Sequence, residues 1–360
     1  MSRAFVHETF AQRIVFRTGG AAAAVAEEVA RIEATRVLAI VAEADVHLAA
    51  SLFDGLPIVA AFTDVHAHVP MRVAVAARQL ATAEDADLLL SVGGGSTTGT
   101  AKAVAMELGL PILAVPTTYA GSEATPVWGL TENREKATGI DLRVLPKVVV
   151  YDAELSRTLP LTLSVASGLN AVAHCVDSLW APRSNPLLRA SGEEGIRILA
   201  RGLRSLARDP DALDAREDLL IGAYLAAATF ASAGSGLHHK ICHVLGGMYD
   251  LPHAATHAVV LPHVLGFNAP NDTDAAQRVA RALGDGGPLE SLDHLYAEVG
   301  APRSLHALGL SRHDLEPVVP AVLRAAPPSN PTPVTAEGIE ELLTAAWVGD
   351  GSRITQEVTA

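Results

Sequence analysis

DLLLSVGGGSTTGTAK (Asp87–Lys102) decides how the first half of this 360-residue chain is read. Asp87–Val92 is a continuous apolar run, which suits a strand covered on both faces, as in a parallel sheet. Three glycines then remove every side chain from the place where backbone N–H groups could meet a phosphate. Ser96 and Thr97 add hydroxyl donors, and the helix expected to follow, up to Leu108, points its positive end at the same place. The spacing is neither the G-x-G-x-x-G fingerprint nor a P-loop. Its position at the carboxyl end of a strand is where open α/β sheets bind ligands.

Outward from this loop the same grammar repeats. Strands are expected at Arg13–Phe16, Arg36–Ala42, Pro57–Phe62, Pro111–Val115 and Lys147–Tyr151, with Ala-rich helices at Ala21–Glu33 and Met71–Ala86. Strand–helix alternation of this kind predicts a parallel sheet with helices on both faces. Glu43, just after the second strand, is placed to accept hydrogen bonds from a ribose diol and to repel a 2′-phosphate, which favours NADH over NADPH. After Tyr151-Asp152 strand signals fade. Helices are expected at Thr162–Trp180, Pro186–Arg208, Ala215–Phe230, His239–Met248, Thr273–Leu283, Pro288–Glu298 and Ala336–Val348, with Pro262 among the breaks. The division predicts an α/β domain over 1–156 and an all-helical domain over 157–360.

Composition narrows the function classes. Hydrophobic residues make up 49% and charged residues 19%, which excludes disorder as the main state. A net charge of −13 opposes nucleic-acid and anionic-membrane partners. The charge-poor stretch Leu219–Leu237 is too rich in Ala, Gly and Ser for a membrane span and is expected inside a helical core. Cys175 and Cys242 are expected as reduced, buried thiols, and no export signal is read at the start, so the expected location is cytoplasmic.

The chain has 14 histidines, and seven fall between His174 and His263. His239 and His243 share a helix face, as do Asn170 and His174. Gathered imidazoles can ligate a metal, move protons or donate to developing negative charge. Three imidazoles and a carboxylate would make a good divalent site. Asn170, however, is neutral and a weaker ligand, so the expectation is that no metal is required.

At GGGS (Gly93–Ser96), PTTYAGSE (Pro116–Glu123), NAVAH (Asn170–His174) and HHKICHVLGGMYDLPHA (His238–Ala254) the chain resembles the iron-containing (group III) alcohol dehydrogenases. The resemblance covers nearly the whole chain. It is nearest to the branch that reduces the C=C bond of maleylacetate, on Tyr119, Asn170, the His238-His239-Lys240 triplet and LRVLPKVVVYD (Leu142–Asp152). It implies a dinucleotide-binding α/β domain plus a helical domain, the fold shared with dehydroquinate synthase, and an active site between them. It implies cofactor contacts at Gly93, Gly94, Gly95, Ser96, Thr117 and Thr118, with Glu43 selecting NADH and NADPH possible.

The family's metal-ligand positions correspond to Asn170, His174, His239 and His253. His243, His239, His253 and His174 are the expected catalytic residues, with His243 carrying the proton chemistry. Tyr119, Asn170 and Lys240 are the expected contacts to a dicarboxylate substrate, and a homodimer is implied. The alternative within the family is a metal-dependent alcohol or aldehyde dehydrogenase. Asn330-Pro331-Thr332 departs from the Asn-Pro-Arg of related reductases, so Thr332 is not an expected site residue.

Overall fold

The computed structural model describes residues 4–132, 135–284 and 286–349. These divide into two compact units, 9–159, and 160–349 together with residues 4–8. The short N-terminal stretch joins the helices, where Ser232 Oγ donates to the Glu8 carbonyl at 2.9 Å.

The first unit runs β1 (Arg13–Phe16), α1 (Ala21–Ile32), β2 (Val37–Val41), α2 (Val46–Phe53), β3 (Ile58–Phe62), α3 (Met71–Ala83), β4 (Leu88–Gly93), α4 (Gly95–Leu108), β5 (Ile112–Pro116), β6 (Val127–Glu132), β7 (Glu135–Ile140) and β8 (Val148–Tyr151). Six strands form a parallel sheet in the order β1-β8-β5-β4-β2-β3. Alternate residues serve opposite faces. Leu88, Leu90 and Val92 pack with Ala24, Val25, Val29, Ala49 and Leu52 of α1 and α2. Leu38, Ile40, Leu89 and Ile112 pack with Val73, Ala77, Ala101 and Val104 of α3 and α4. A fully buried Leu or Ile here contributes roughly 1.5–3 kcal/mol. The helices after β2 and β4, which are neighbours, thus go to opposite faces. That is a topological switch point, and it falls at the glycine loop.

Sequence patterning missed α2 and the β6–β7 hairpin. The hairpin pairs antiparallel outside the main sheet, so it never acquires a two-sided apolar signature.

The second unit runs α5 (Leu161–Ser178), α6 (Pro186–Arg208), α7 (Leu213–Ala233), α8 (Leu237–Tyr249), α9 (His253–Asn268), α10 (Thr273–Leu283), α11 (Pro288–Val299), α12 (Val318–Ala325) and α13 (Ala336–Val348). Asn185 caps α6 by accepting from the Leu187 and Leu188 amides, with Pro186 in the first turn. Gly234, at φ 86°, ends α7, and α8 leaves at 98°. Among the described residues no single helix is long and apolar enough to cross a membrane.

Pro262 was expected to break a helix, but α9 runs through it. A proline there orphans the Ala258 carbonyl four residues earlier. The buried Tyr296 hydroxyl donates to that carbonyl at 2.6 Å, so the loss is made good from α11. Asn330 and Thr332 form a clasp: Asn330 and Asn268 exchange amide bonds at 2.8 and 3.0 Å, and Thr332 Oγ1 donates to the Phe267 carbonyl.

Candidate active site

The α/β unit contributes the glycine loop. Gly93 ends β4 at φ 145°, a conformation side chains rarely adopt, and a Cβ on it would lie 2.6 Å from Thr97 Oγ1. Gly94 precedes the first turn of α4, and a Cβ on it would meet Thr118 at 3.1 Å. Thr117 N donates to the Gly93 carbonyl at 3.2 Å, which ties the start of the Pro116–Glu123 segment to the loop. Gly93, Gly94, Gly95, Ser96, Thr117 and Thr118 therefore come together around the N-terminus of α4, a site suited to an anion.

Of the two acids after β2, Glu43 is exposed, while Asp45 Oδ2 lies 3.4 Å from where a Gly93 Cβ would be. Burial raises the Asp45 carboxyl above its usual range. Sequence reading picked Glu43 because it ends the strand; the short helical turn at Glu43–Asp45 makes Asp45 the acid beside the glycines.

Tyr119 is fully buried in this same unit, its hydroxyl donating to Ser156 Oγ at 3.5 Å. It packs as a core residue. Arg143 is exposed and paired with Asp141 at 2.6 Å.

The helical unit gathers the histidines. His174 comes from α5, His238, His239 and His243 from α8, and His253 and His257 from α9. Ring centroids lie 4.9 Å apart for His174–His239 and His239–His257, 5.0 Å for His238–His257 and 4.4 Å for His253–His257. His243 stands at the edge, 6.0 Å from His239. Phe230 of α7 packs on His239 at 4.2 Å and on His174 at 5.0 Å. His174, His238, His239 and His257 are buried; His243 and His253 are exposed. Asn170, one turn before His174, is buried, and Lys240 is half-buried on α8. His263, further along α9, instead lines a small cavity with Asp293, Tyr296 and Arg303.

Burial governs the electrostatics. It lowers His174 to about 4 against the pull of Asp177, and it pushes His238, His239 and His257 well below the ordinary histidine value, helped by their neighbours. These four rings are neutral at pH 7, each with one N–H and one lone pair. Asn170 Oδ1, His174 Nδ1, His239 Nε2 and His257 Nε2 are buried without a hydrogen-bond partner among the described residues. Unpaired buried polar atoms cost free energy, so their collection here marks a place built for something else to occupy.

The expectation that no metal is required is overturned at this point. His238, Cys242 and His257 place their ligand atoms within 4.8 Å of one another, a set able to hold a metal ion. His238 Nε2 and His257 Nδ1 are 3.0 Å apart, with Cys242 Sγ 3.7 Å from His238 Nε2. Two imidazoles and a sulfur suit zinc or iron(II) better than a hard cation. Burial holds the Cys242 thiol well above its ordinary value, so a metal must displace that proton to bind. The argument from Asn170 failed because it weighed one position and overlooked Cys242, one turn along α8 from His238, and His257, which reaches His238 only in the folded chain. Asp177, 2.7 Å from His239 Nδ1, was also unforeseen; its place three residues after His174 was the available signal.

Comparisons with known proteins place this arrangement. Residues 11–153 match the family described as iron-containing alcohol dehydrogenase, and residues 164–347 match the C-terminal part of the Fe-containing alcohol dehydrogenase family. A maleylacetate reductase of Sphingobium indicum is 44% identical over 348 residues, 96% of this chain and 98% of its own length. An iron-containing alcohol dehydrogenase of known structure from Corynebacterium glutamicum superposes with a TM-score of 0.97 at 47% identity, over 99% of this chain and 100% of that one. The maleylacetate reductase structure from Rhizobium sp. strain MTP-10005 gives 0.90 at 40% identity, over 97% and 99%.

Proposed function

The chain belongs to the iron-containing alcohol dehydrogenase family, and on that premise we propose that it acts as a maleylacetate reductase, reducing the C=C bond of maleylacetate with NADH to give 3-oxoadipate. One observation carries the substrate: relatives 40–44% identical across 96% of the chain are maleylacetate reductases.

When bound, NADH would supply a hydride for the alkene carbon β to the ketone. The residues of this chain do the rest. The glycine loop at Gly93–Ser96, with Thr117 and Thr118, would hold a pyrophosphate at the N-terminus of α4. Asp45, beside Gly93, would accept from a ribose diol and disfavour a 2′-phosphate.

The substrate is a dianion on a chain of net charge −13, so its carboxylates need local donors. Lys240, the Asn170 amide and the exposed His253 provide them. As hydride arrives, negative charge moves to the ketone oxygen, and neutral N–H groups fixed beforehand stabilise it without reorganising. His243, at the exposed edge of the group, is the proton donor to the neighbouring carbon. The residues fit a zinc or iron(II) ion, held by His238, Cys242 and His257 or at the family positions Asn170, His174, His239 and His253, which when bound would supply Lewis-acid polarisation of a carbonyl. A cytoplasmic homodimer belongs to the same reading, since NADH is a cytoplasmic reductant.

The test is NADH oxidation with maleylacetate, with 3-oxoadipate identified as product. Turnover of simple alcohols or aldehydes with maleylacetate untouched would replace this reading with an alcohol dehydrogenase. Light scattering of the purified chain checks the dimer.

A further inference from the structure

Asp177 lies on α5, one turn after His174, and is fully buried. Its two oxygens face five nitrogens, four of them certain N–H donors. Oδ1 accepts from the Trp180 indole at 3.1 Å and from the His238 amide at 3.2 Å. Oδ2 accepts from the Gly236 amide at 2.9 Å and the His239 amide at 3.4 Å, and lies 2.7 Å from His239 Nδ1. Helix α8 has no side-chain cap from its own N-cap residue, Gly236, so a carboxylate from another helix caps it. Four of the five donors carry protons that cannot move. The carboxylate is therefore an acceptor throughout, and the ring nitrogen at 2.7 Å is its fifth donor. With the proton on Nδ1, Nε2 keeps a bare lone pair, and this is the buried Nε2 that has no partner among the described residues.

We propose that Asp177 is a positioning residue that locks His239 in its Nδ1–H tautomer and so presents a bare Nε2 to a divalent cation. A carboxylate behind a ligating imidazole fixes the ring's orientation and raises its basicity. The tautomer follows from the geometry of the helical unit alone; that the lone pair meets a cation rests on the reading given under Proposed function.

Gly236 is part of the device. A Cβ there would lie 2.4 Å from Asp177 Oδ1 and 2.8 Å from its carboxyl carbon. Its backbone, at φ −89°, suits any residue, so the constraint is steric. The carboxylate could yield only by giving up its five bonds.

Long-range proton–nitrogen NMR on the full-length protein, labelled with ¹⁵N-histidine and prepared without added metal, reads the tautomer directly, with His239→Gln assigning the ring. The expected spectrum has a protonated Nδ1 and an unprotonated Nε2; a proton on Nε2 overturns the proposal. Zinc affinity, measured by competition with a chelating dye, is expected to fall at least about tenfold in Asp177→Asn and in Gly236→Ala. NADH binding, which uses the glycine loop, is expected to hold. Zinc affinity within twofold of the parent in Gly236→Ala, where the carboxylate is kept but displaced, overturns the proposal even if Asp177→Asn fails to fold. A wild-type chain that shows the Nδ1–H tautomer but leaves maleylacetate unreduced refutes the substrate and leaves Asp177 standing.

Discussion

Lys102 and Glu123 in the α/β unit are as deeply buried as His174, His238, His239 and His257 in the helical unit, yet the two groups are finished differently. Lys102 Nζ donates to the Thr125 carbonyl at 2.8 Å, to Thr125 Oγ1 at 3.2 Å and to the Val127 carbonyl at 2.7 Å. Glu123 accepts from the Tyr151 hydroxyl at 2.8 Å. Polar atoms that find partners here pin α4 to the start of β6. In the helical unit, polar atoms on Asn170, His174, His239 and His257 have no hydrogen-bond partner among the described residues. A satisfied buried network holds a fold together, whereas an unsatisfied one is kept only where an occupant completes it.

The contrast can be broken by substitution. His243→Ala is expected to lower kcat by about a hundredfold or more while leaving thermal stability unchanged, because an exposed proton donor contributes to the reaction and little to packing. Stopped-flow NADH oxidation measures it, and an unchanged rate removes His243 from the chemistry.

Lys102→Ala should do the opposite. It strands two carbonyls and leaves Glu123 without its compensating charge, costing about 3–5 kcal/mol in urea unfolding. Activity per folded molecule is expected to persist, and a loss of turnover at full stability would show that this pair serves the site after all.

The same lysine sets a pH dependence. Burial lowers it to about 7 from 10.5, with Glu123 opposing the shift. Between those two values the unfolded chain holds a proton that the folded chain has released. Stability from this group therefore rises with pH across that window, by up to about 1.4 kcal/mol per unit, and the rise should vanish in Lys102→Met. Denaturant titrations at several pH values above neutrality measure the difference between the two proteins.

Smaller effects sharpen the site. Cys242→Ser exchanges a soft donor for a hard one; with zinc on the family positions that include His239, its affinity, read by dye competition, should stay within about twofold, and a loss of tenfold or more would place the ion on His238, Cys242 and His257 instead. Asp45→Ala should shift the NADPH/NADH ratio of kcat/KM further toward NADPH than Glu43→Ala does. The reverse order would restore Glu43 as the acid that selects the cofactor.

Much of this protein is legible in its sequence because the relevant signals are local. The parallel sheet shows in runs such as Leu88–Leu90, and the glycine loop shows in three adjacent letters. The helical half shows in apolar periodicity, and the histidines in their crowding between 174 and 263. What stayed hidden depends on contacts between distant residues. Pro262 looks like a break until Tyr296 arrives at the Ala258 carbonyl. Tyr119, expected at the substrate, is packed away beside Ser156.

Sequence alone thus determined the family, the sheet and the set of chemistry-bearing side chains, because period, composition and motif spacing are properties of neighbouring residues. Tertiary structure decided which of those side chains work together. Asp45 rather than Glu43 sits by the glycines, His257 joins His238 and Cys242, and Asp177 stands behind His239, 62 positions away. A hydrogen bond requires two atoms within about 3 Å, a condition that only the folded coordinates specify.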